Sequence, residues 1–251
     1  MTIPLQTAAV YGPVRSRRFG VSLGINLLPP RQKVCNFDCV YCQYGRVPFV
    51  EGVEFPTVRE VVSEAAARLA EARIGRQEFD WMMIAGNGEP TLHPKFPEMV
   101  DALVSLRDRM MPSLAIGILS NASTCRQPVV RAALAQLDGR YMKLDAGTEP
   151  LFGAVNRPTD AAEWERSVEG LRAMKDLELQ SMFFEGEPQN TDPACVDDWI
   201  DAVKKIGPNT VQIYTIDRPP ADPRVRPASR ETLDRIADRL FERTGIQGSV
   251  S

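Results

Sequence analysis

Short apolar runs alternate with longer amphipathic stretches six times along the chain. The runs are Val21 to Leu28, Trp81 to Ala85, Leu114 to Leu119, Tyr141 to Leu144, Leu179 to Phe184 and Thr210 to Tyr214. Each is short and almost unbroken, the pattern of a strand covered on both faces. The intervening stretches have helical spacing. In Val58 to Arg73, Val61, Val62, Ala65, Leu69 and Ala72 fall near one face and Arg59, Glu60, Glu64, Arg68 and Glu71 on the other, so the apolar face is expected to pack on a sheet. Helix starts are marked by Thr57 with Glu60, by Asp160 with Glu163, and by Asp192 followed by Pro193, arrangements that satisfy the unpaired amides of a first turn.

A strand followed by a helix, repeated six times, predicts parallel strands. Periodicity alone leaves open a doubly wound sheet or a curved, incomplete barrel, and both place ligands at the carboxyl ends of the strands. The proline-rich pieces Leu28 to Pro30 and Pro219 to Pro227 sit at strand ends and are expected to be ordered loops. The chain therefore reads as one domain over residues 1–251, with a basic leader and first strand in 1–34 and a C-terminal loop and helix in 219–251.

Composition narrows the class. With 43% hydrophobic and 25% charged residues in 251, the chain can bury a full core. No stretch approaches the roughly 20 continuous apolar residues of a membrane helix, and the first residues lack the order of a secretory signal. A cytoplasmic protein with no membrane partner is expected. The net charge of −3 argues against extensive nucleic-acid binding. That average conceals an asymmetry: Arg15, Arg17, Arg18, Arg31 and Lys33 make the first 34 residues +5 with no acidic residue. This end is a candidate to face an anion.

Five cysteines are too few for a disulfide scaffold of this length, so reduced thiols or metal ligands are expected. Three of them, Cys35, Cys39 and Cys42, fall within eight residues directly after the first strand. At this cysteine frequency chance produces that spacing roughly two times in a thousand. Three thiolates converging from one loop suit either zinc or an iron–sulfur cluster. A structural zinc ion wants four protein ligands, whereas His93, Cys125 and Cys195 are each remote in sequence. A three-thiolate [4Fe–4S] cluster leaves one iron without a protein ligand.

The motif Cys35-x-x-x-Cys39-x-x-Cys42 with Tyr41 before the last cysteine resembles the radical S-adenosylmethionine (SAM) superfamily. The resemblance implies that the open iron binds S-adenosylmethionine. Reductive cleavage would then give methionine and a 5'-deoxyadenosyl radical that abstracts hydrogen from substrate. With this resemblance the alternation is read as a partial (β/α)6 barrel of parallel strands. Gly86-Asn87-Gly88-Glu89-Pro90 resembles the family's Gly-Gly-Glu motif, implying that Gly88 permits close approach and Glu89 helps hold the methionyl ammonium. The family's next strand ends approach the nucleoside, which makes Ser120, Asn121, Lys143 and Asp145 candidate contacts alongside Tyr41 of the cysteine motif, with Glu185 a weaker one.

Gly12 to Gly20, Lys143-Leu144-Asp145, Asn156-Arg157-Pro158 and Gln212 to Pro220 are similar to the branch of small iron–sulfur oxidoreductases related to the tRNA wyosine synthase. The resemblance runs from about Tyr11 to Arg218. No cysteine precedes Cys35, although the wyosine-forming enzymes bind a second cluster there, so their substrate is not carried over. The expected partners are a small-molecule, peptide or nucleotide substrate and an electron donor such as flavodoxin or ferredoxin. An activase installing a glycyl radical on a partner protein, a tRNA-modifying enzyme and a non-catalytic metal-binding module are the competing readings. His93 beside Pro94, Cys125 and Cys195 are expected to be structural.

Overall fold

The computed structural model describes residues 3–45, 52–220 and 222–251. Its strands are β1 (Val10–Ser16), β2 (Gly20–Ile25), β3 (Trp81–Ile84), β4 (Ala115–Ser120), β5 (Gly139–Lys143), β6 (Glu178–Met182), β7 (Phe184–Gly186), β8 (Thr210–Tyr214), β9 (Val225–Pro227) and β10 (Gly248–Val250). The helices are α1 (Val58–Gly75), α2 (Phe96–Met110), α3 (Pro128–Leu134), α4 (Glu149–Asn156), α5 (Glu163–Arg172), α6 (Pro193–Ile206) and α7 (Arg230–Thr244). One sheet runs in the order β1-β2-β3-β4-β5-β6-β8-β10. The six expected strands are its six central members, in chain order and parallel throughout, which is the partial (β/α)6 barrel.

Two edges go beyond the sequence pattern. β1 folds back on β2 as an antiparallel hairpin, so the basic leader contributes two strands. β10 adds in parallel to β8, so the chain after residue 219 contributes strand as well as loop and helix. A separate antiparallel pair joins β7 to β9.

Strand residues alternate between two environments. Met82, Ile84, Ile116, Ile118, Met142, Leu179, Val211 and Ile213 enter the main core with the helix faces. Lys143, Gln180, Met182 and Tyr214, on the opposite side of their strands, line a cavity. A period of two thus separates an apolar helix-covered face from a concave face of mixed polarity, with Met83 and Tyr141 in an apolar cluster and Lys143 and Gln180 polar. The concave face is closed from below by Phe19, which stacks edge-on against Trp81 and Tyr141 at 6.3 and 4.5 Å between ring centroids.

In α1 the buried residues are Val61, Ala65, Leu69 and Ala72, the face the periodicity predicts. Thr57 and Glu60 form both halves of the capping box, and Glu64 accepts the amides of Ala9 and Val10, tying β1 to the helix. The Asp160–Glu163 pair does not cap in this way. Asp160 instead accepts from Ala162 N and Arg166, and α5 begins at Glu163, whose carboxylate is taken by Ser167 within the first turn. Asp192 sits at the N-cap of α6 with Pro193 following, but its side chain makes no cap hydrogen bond. Among the described residues no helix is long and apolar enough to cross a membrane.

Leu69 of α1 is fully buried, so Leu69→Ala removes packing that the rigid sheet cannot refill. We expect a loss of about 2–5 kcal/mol in urea unfolding, with an unchanged denaturant slope.

Candidate active site

The three clustered cysteines lie on the loop that leaves β2. That loop is held by backbone on two sides. On one, Val34 N donates to Asn87 O at 2.8 Å and Glu89 N to Val34 O at 2.9 Å. On the other, Asp38 N donates to Asn156 O at 3.0 Å, Val40 N to Val155 O at 3.0 Å and Thr159 N to Asn36 O at 2.9 Å. Phe37 packs edge-on against Phe152 of α4, within an apolar cluster that also holds Val40 and Tyr41.

The glycines after β3 make this docking possible. Gly88 has φ +138°, and a β-carbon there would overlap the Val34 carbonyl. A β-carbon on Gly86 would overlap the Asn26 side chain, whose Oδ1 accepts Asn87 N at 3.0 Å. The close approach these glycines permit is therefore that of the cysteine loop and of Asn26. Asn87 in turn accepts from Gln6 N and donates to Gln6 O and Pro29 O.

Glu89 is buried and gathers the next two strands' ends. Its Oε1 accepts from Thr91 N (3.1 Å), Thr91 Oγ1 (2.6 Å) and Ser120 Oγ (2.8 Å), and its Oε2 from Asn121 N (2.5 Å). Burial raises the Glu89 pKa, against those four donors, which favour the carboxylate. A carboxylate offers about four acceptor positions. Oε1 is saturated, whereas Oε2 keeps capacity among the described residues, and Glu89 lines the cavity. Ser120 is thus turned to Glu89. Asn121 donates its side-chain amide to Asn36 Oδ1 at 2.9 Å and lies 3.9 Å from Cys35 Sγ.

Lys143, Tyr41 and Asp145 meet on the other flank. Lys143 Nζ donates to Tyr41 Oη at 2.9 Å and pairs with Asp145 at 3.4 Å, and Tyr41 Oη donates to Asp145 Oδ2 in a short contact. Burial pulls the Lys143 pKa down, but Asp145 beside it prevails and the net shift is upward. Burial raises that of Tyr41, with Asp145 adding to it. Asn156 completes the group, with Nδ2 at 2.8 Å from Asp145 Oδ2 and 3.4 Å from Cys39 Sγ. Asp145 lies behind this group, 1% exposed, and accepts Met182 N at 2.9 Å. The sequence motif contained Asn156 but gave no reason to place it against a cysteine.

Cys35, Cys39 and Cys42 all line one cavity of about 490 Å3, together with Gly88, Glu89, Ser120, Asn121, Lys143 and Tyr41. Burial pushes the Cys35 thiol up to about 12, with Cys39 adding to it, and burial raises Cys39 as well. Such thiols ionise readily only beside strong positive charge, as a metal centre provides. Among the described residues no three His, Cys, Asp or Glu side chains are arranged to hold a single metal ion.

The family model of the radical SAM superfamily matches residues 30–188. The chain belongs to this superfamily. It is 30% identical over 233 residues to a UPF0026 protein of Methanocaldococcus jannaschii, covering 90% of this chain and 69% of that one. It is 28% identical over 243 residues to a Brachyspira hyodysenteriae protein named GTPase Obg, 95% of this chain but 34% of that protein. A solved structure of TYW1 with a lysine–pyruvate adduct bound shares the fold, with a TM-score of 0.65 at 14% identity, over 89% of this chain and 74% of that one.

Radical SAM enzymes use a [4Fe–4S] cluster and S-adenosylmethionine, and the donors present suit both. In a cluster each thiolate binds its own iron, so three thiols spaced along a cavity wall fit where a single-ion site does not. Four residues with possible chemistry lie elsewhere. His93 has both ring nitrogens engaged by backbone, Nε2 with Pro56 O at 2.9 Å and Nδ1 accepting Lys95 N at 3.1 Å. Cys125 is fully buried in the main core, 3.9 Å from Met142 Sδ. Cys195 is partly buried near the start of α6, and Glu185 makes a surface ion pair with Arg226 at 3.2 Å.

Gly88→Ala tests the docking. A positive φ and a blocked β-carbon position predict a loss of more than about 1 kcal/mol and lower iron content after anaerobic reconstitution. Gly153→Ala in α4, where a β-carbon meets open space, is expected to keep the iron content and to raise stability by up to about 1 kcal/mol.

Proposed function

We propose that this enzyme holds a [4Fe–4S] cluster on Cys35, Cys39 and Cys42 and reductively cleaves S-adenosylmethionine to initiate hydrogen abstraction from a substrate. The observation carrying this reading is that three pinned cysteines share one cavity with a buried carboxylate, Glu89, that keeps an unsaturated oxygen. When bound, the cluster and S-adenosylmethionine supply one-electron cleavage of the sulfonium, releasing methionine and a 5'-deoxyadenosyl radical that takes hydrogen from substrate.

The chain's own residues bind and orient. Glu89 Oε2 accepts the methionyl ammonium, a charge-assisted hydrogen bond inside a low-dielectric wall. Ser120 and Thr91 hold that carboxylate in place by saturating Oε1. The Asn121 amide faces the cavity from the Cys35 side. Lys143, neutralised by Asp145 behind it, fixes Tyr41 against the loop and offers a donor toward the nucleoside. Gly88 and the loop it admits close the wall against water. Electrons come from a one-electron donor such as flavodoxin or ferredoxin, and the substrate is a small molecule, peptide or nucleotide.

The test is anaerobic reconstitution with iron and sulfide, addition of S-adenosylmethionine and dithionite, and chromatography for 5'-deoxyadenosine. Wild type is expected to produce it, and Cys35→Ala, Cys39→Ala and Cys42→Ala each to produce none. A single-cysteine variant with full turnover overturns the ligand assignment.

Glu89→Gln keeps the shape but removes the charge. The cluster is expected to assemble while S-adenosylmethionine affinity falls about tenfold to a hundredfold, the worth of one charged hydrogen bond. Equilibrium binding measured on the reconstituted variant checks this.

A further inference from the structure

Arg18 lies outside the group assembled around the cysteines, yet it lines the same cavity. It belongs to the turn between β1 and β2, and its guanidinium reaches across the interior to the opposite strands. There it lies 4.2 Å from the Tyr214 ring centroid and 5.0 Å from that of Phe19, a stacked position that fixes its plane. Its Nη1 donates to Gln180 Oε1 and to Gln212 Oε1, both at 3.1 Å. These glutamines are register partners on β6 and β8, and Gln180 is itself anchored by donating to Tyr141 O at 3.0 Å.

A guanidinium carries five N–H donors. Nη1 spends its two on the glutamines, while Nε and Nη2 make no hydrogen bond to any described residue. No carboxylate among the described residues lies within ion-pair distance of Arg18. Both neighbours that could have neutralised it at equal size are glutamine, not glutamate. The contrast with Lys143, paired to Asp145 at 3.4 Å, and with Arg17, paired to Asp217 at 3.5 Å, is sharp. A partly buried charge left unmatched is costly unless an anion completes it. Arg15 and Arg218 line the same cavity, likewise without a carboxylate partner among the described residues.

We propose that the concave floor around Arg18 is the receptor for the anionic group of a small substrate, a carboxylate or a phosphate, gripped by the free edge of the guanidinium. This names the substrate class of the site proposed above and rests on that reading for the chemistry performed there. Two parallel N–H groups match the two oxygens of either anion. Gln180 and Gln212 hold the plane of Arg18, and Arg15 and Arg218 favour entry of negative charge at the rim. The chain's net charge of −3 and the recessed position of Arg18 favour a small anion over a nucleic-acid backbone.

The experiment uses reconstituted protein saturated with S-adenosylmethionine, titrated anaerobically by calorimetry with inorganic phosphate in one arm and succinate in the other. Saturable binding in at least one arm is expected, and the arm that binds identifies the anion. Arg18→Gln is expected to weaken it at least about tenfold, the loss of a charged bidentate contact. Gln180→Glu places a carboxylate beside Arg18 that neutralises the guanidinium, at the cost of the hydrogen bond to Tyr141 O, so it also weakens anion binding in protein that circular dichroism shows to be folded. Absence of saturation in both arms, or wild-type affinity in either variant, overturns the proposal. Wild-type protein that forms 5'-deoxyadenosine yet binds neither anion refutes this inference alone. Absence of 5'-deoxyadenosine refutes the radical reading, while the titration still reads the anion site.

Discussion

The structure depends on the docking of one irregular loop. Residues 34–42 have no strand or helix of their own to satisfy their backbone, and a buried loop in that condition is costly. They are stabilised by borrowing partners: Asn87 and Glu89 on one side, Val155, Asn156 and Arg157 on the other. The first set exists because Gly88 has no side chain to exclude the Val34 carbonyl. The second exists because α4 ends at Asn156, with Arg157 in the left-handed region at φ 45°, leaving carbonyls free to accept. The cysteines are therefore placed by backbone contacts of the end of β3 on one side and the end of α4 on the other.

Behind the loop, polarity is organised in closed pairs. The Lys143 ammonium and Asp145 carboxylate offset one another, and Tyr41 and Asn156 fill their remaining positions. Asn156 Oδ1 is left without a hydrogen bond among the described residues, but the bonds the network does make orient Tyr41 and Cys39 along the wall. The same economy is seen at Glu89, where three donors saturate one oxygen and a single amide, Asn121 N, meets the other.

The six central strands were legible because their helix-facing residues are continuous with apolar neighbours on the other face. β1 was not, since Gly12, Pro13 and Arg15 break its pattern and only pairing with β2 makes it a strand. β10 has three residues, too few to carry a period. Thr57-x-x-Glu60 and Asp160-x-x-Glu163 look alike in sequence, yet only the first caps its helix. The second is diverted by Arg166 and Ala162, contacts that no spacing rule encodes. In the site, the cysteine spacing and Glu89 were readable as motifs. The direction of Ser120, the role of Asn156 and the meeting of Gln180 with Gln212 required knowledge of which strands are neighbours. Arg18 registered in the sequence only as one positive charge among five.

β2 connects two features that sit at its opposite ends. Arg18 precedes its first residue, and the cysteine loop follows its last. A six-residue strand spans roughly 20 Å at about 3.3 Å per residue, and its pairing with β3 prevents it from stretching or slipping. It therefore acts as a rigid spacer between the turn that carries Arg18 and the loop that carries the cysteines. Strain applied at either end is borne by the ladder of the whole sheet, so a disturbance of the turn leaves the loop where the neighbouring strand holds it.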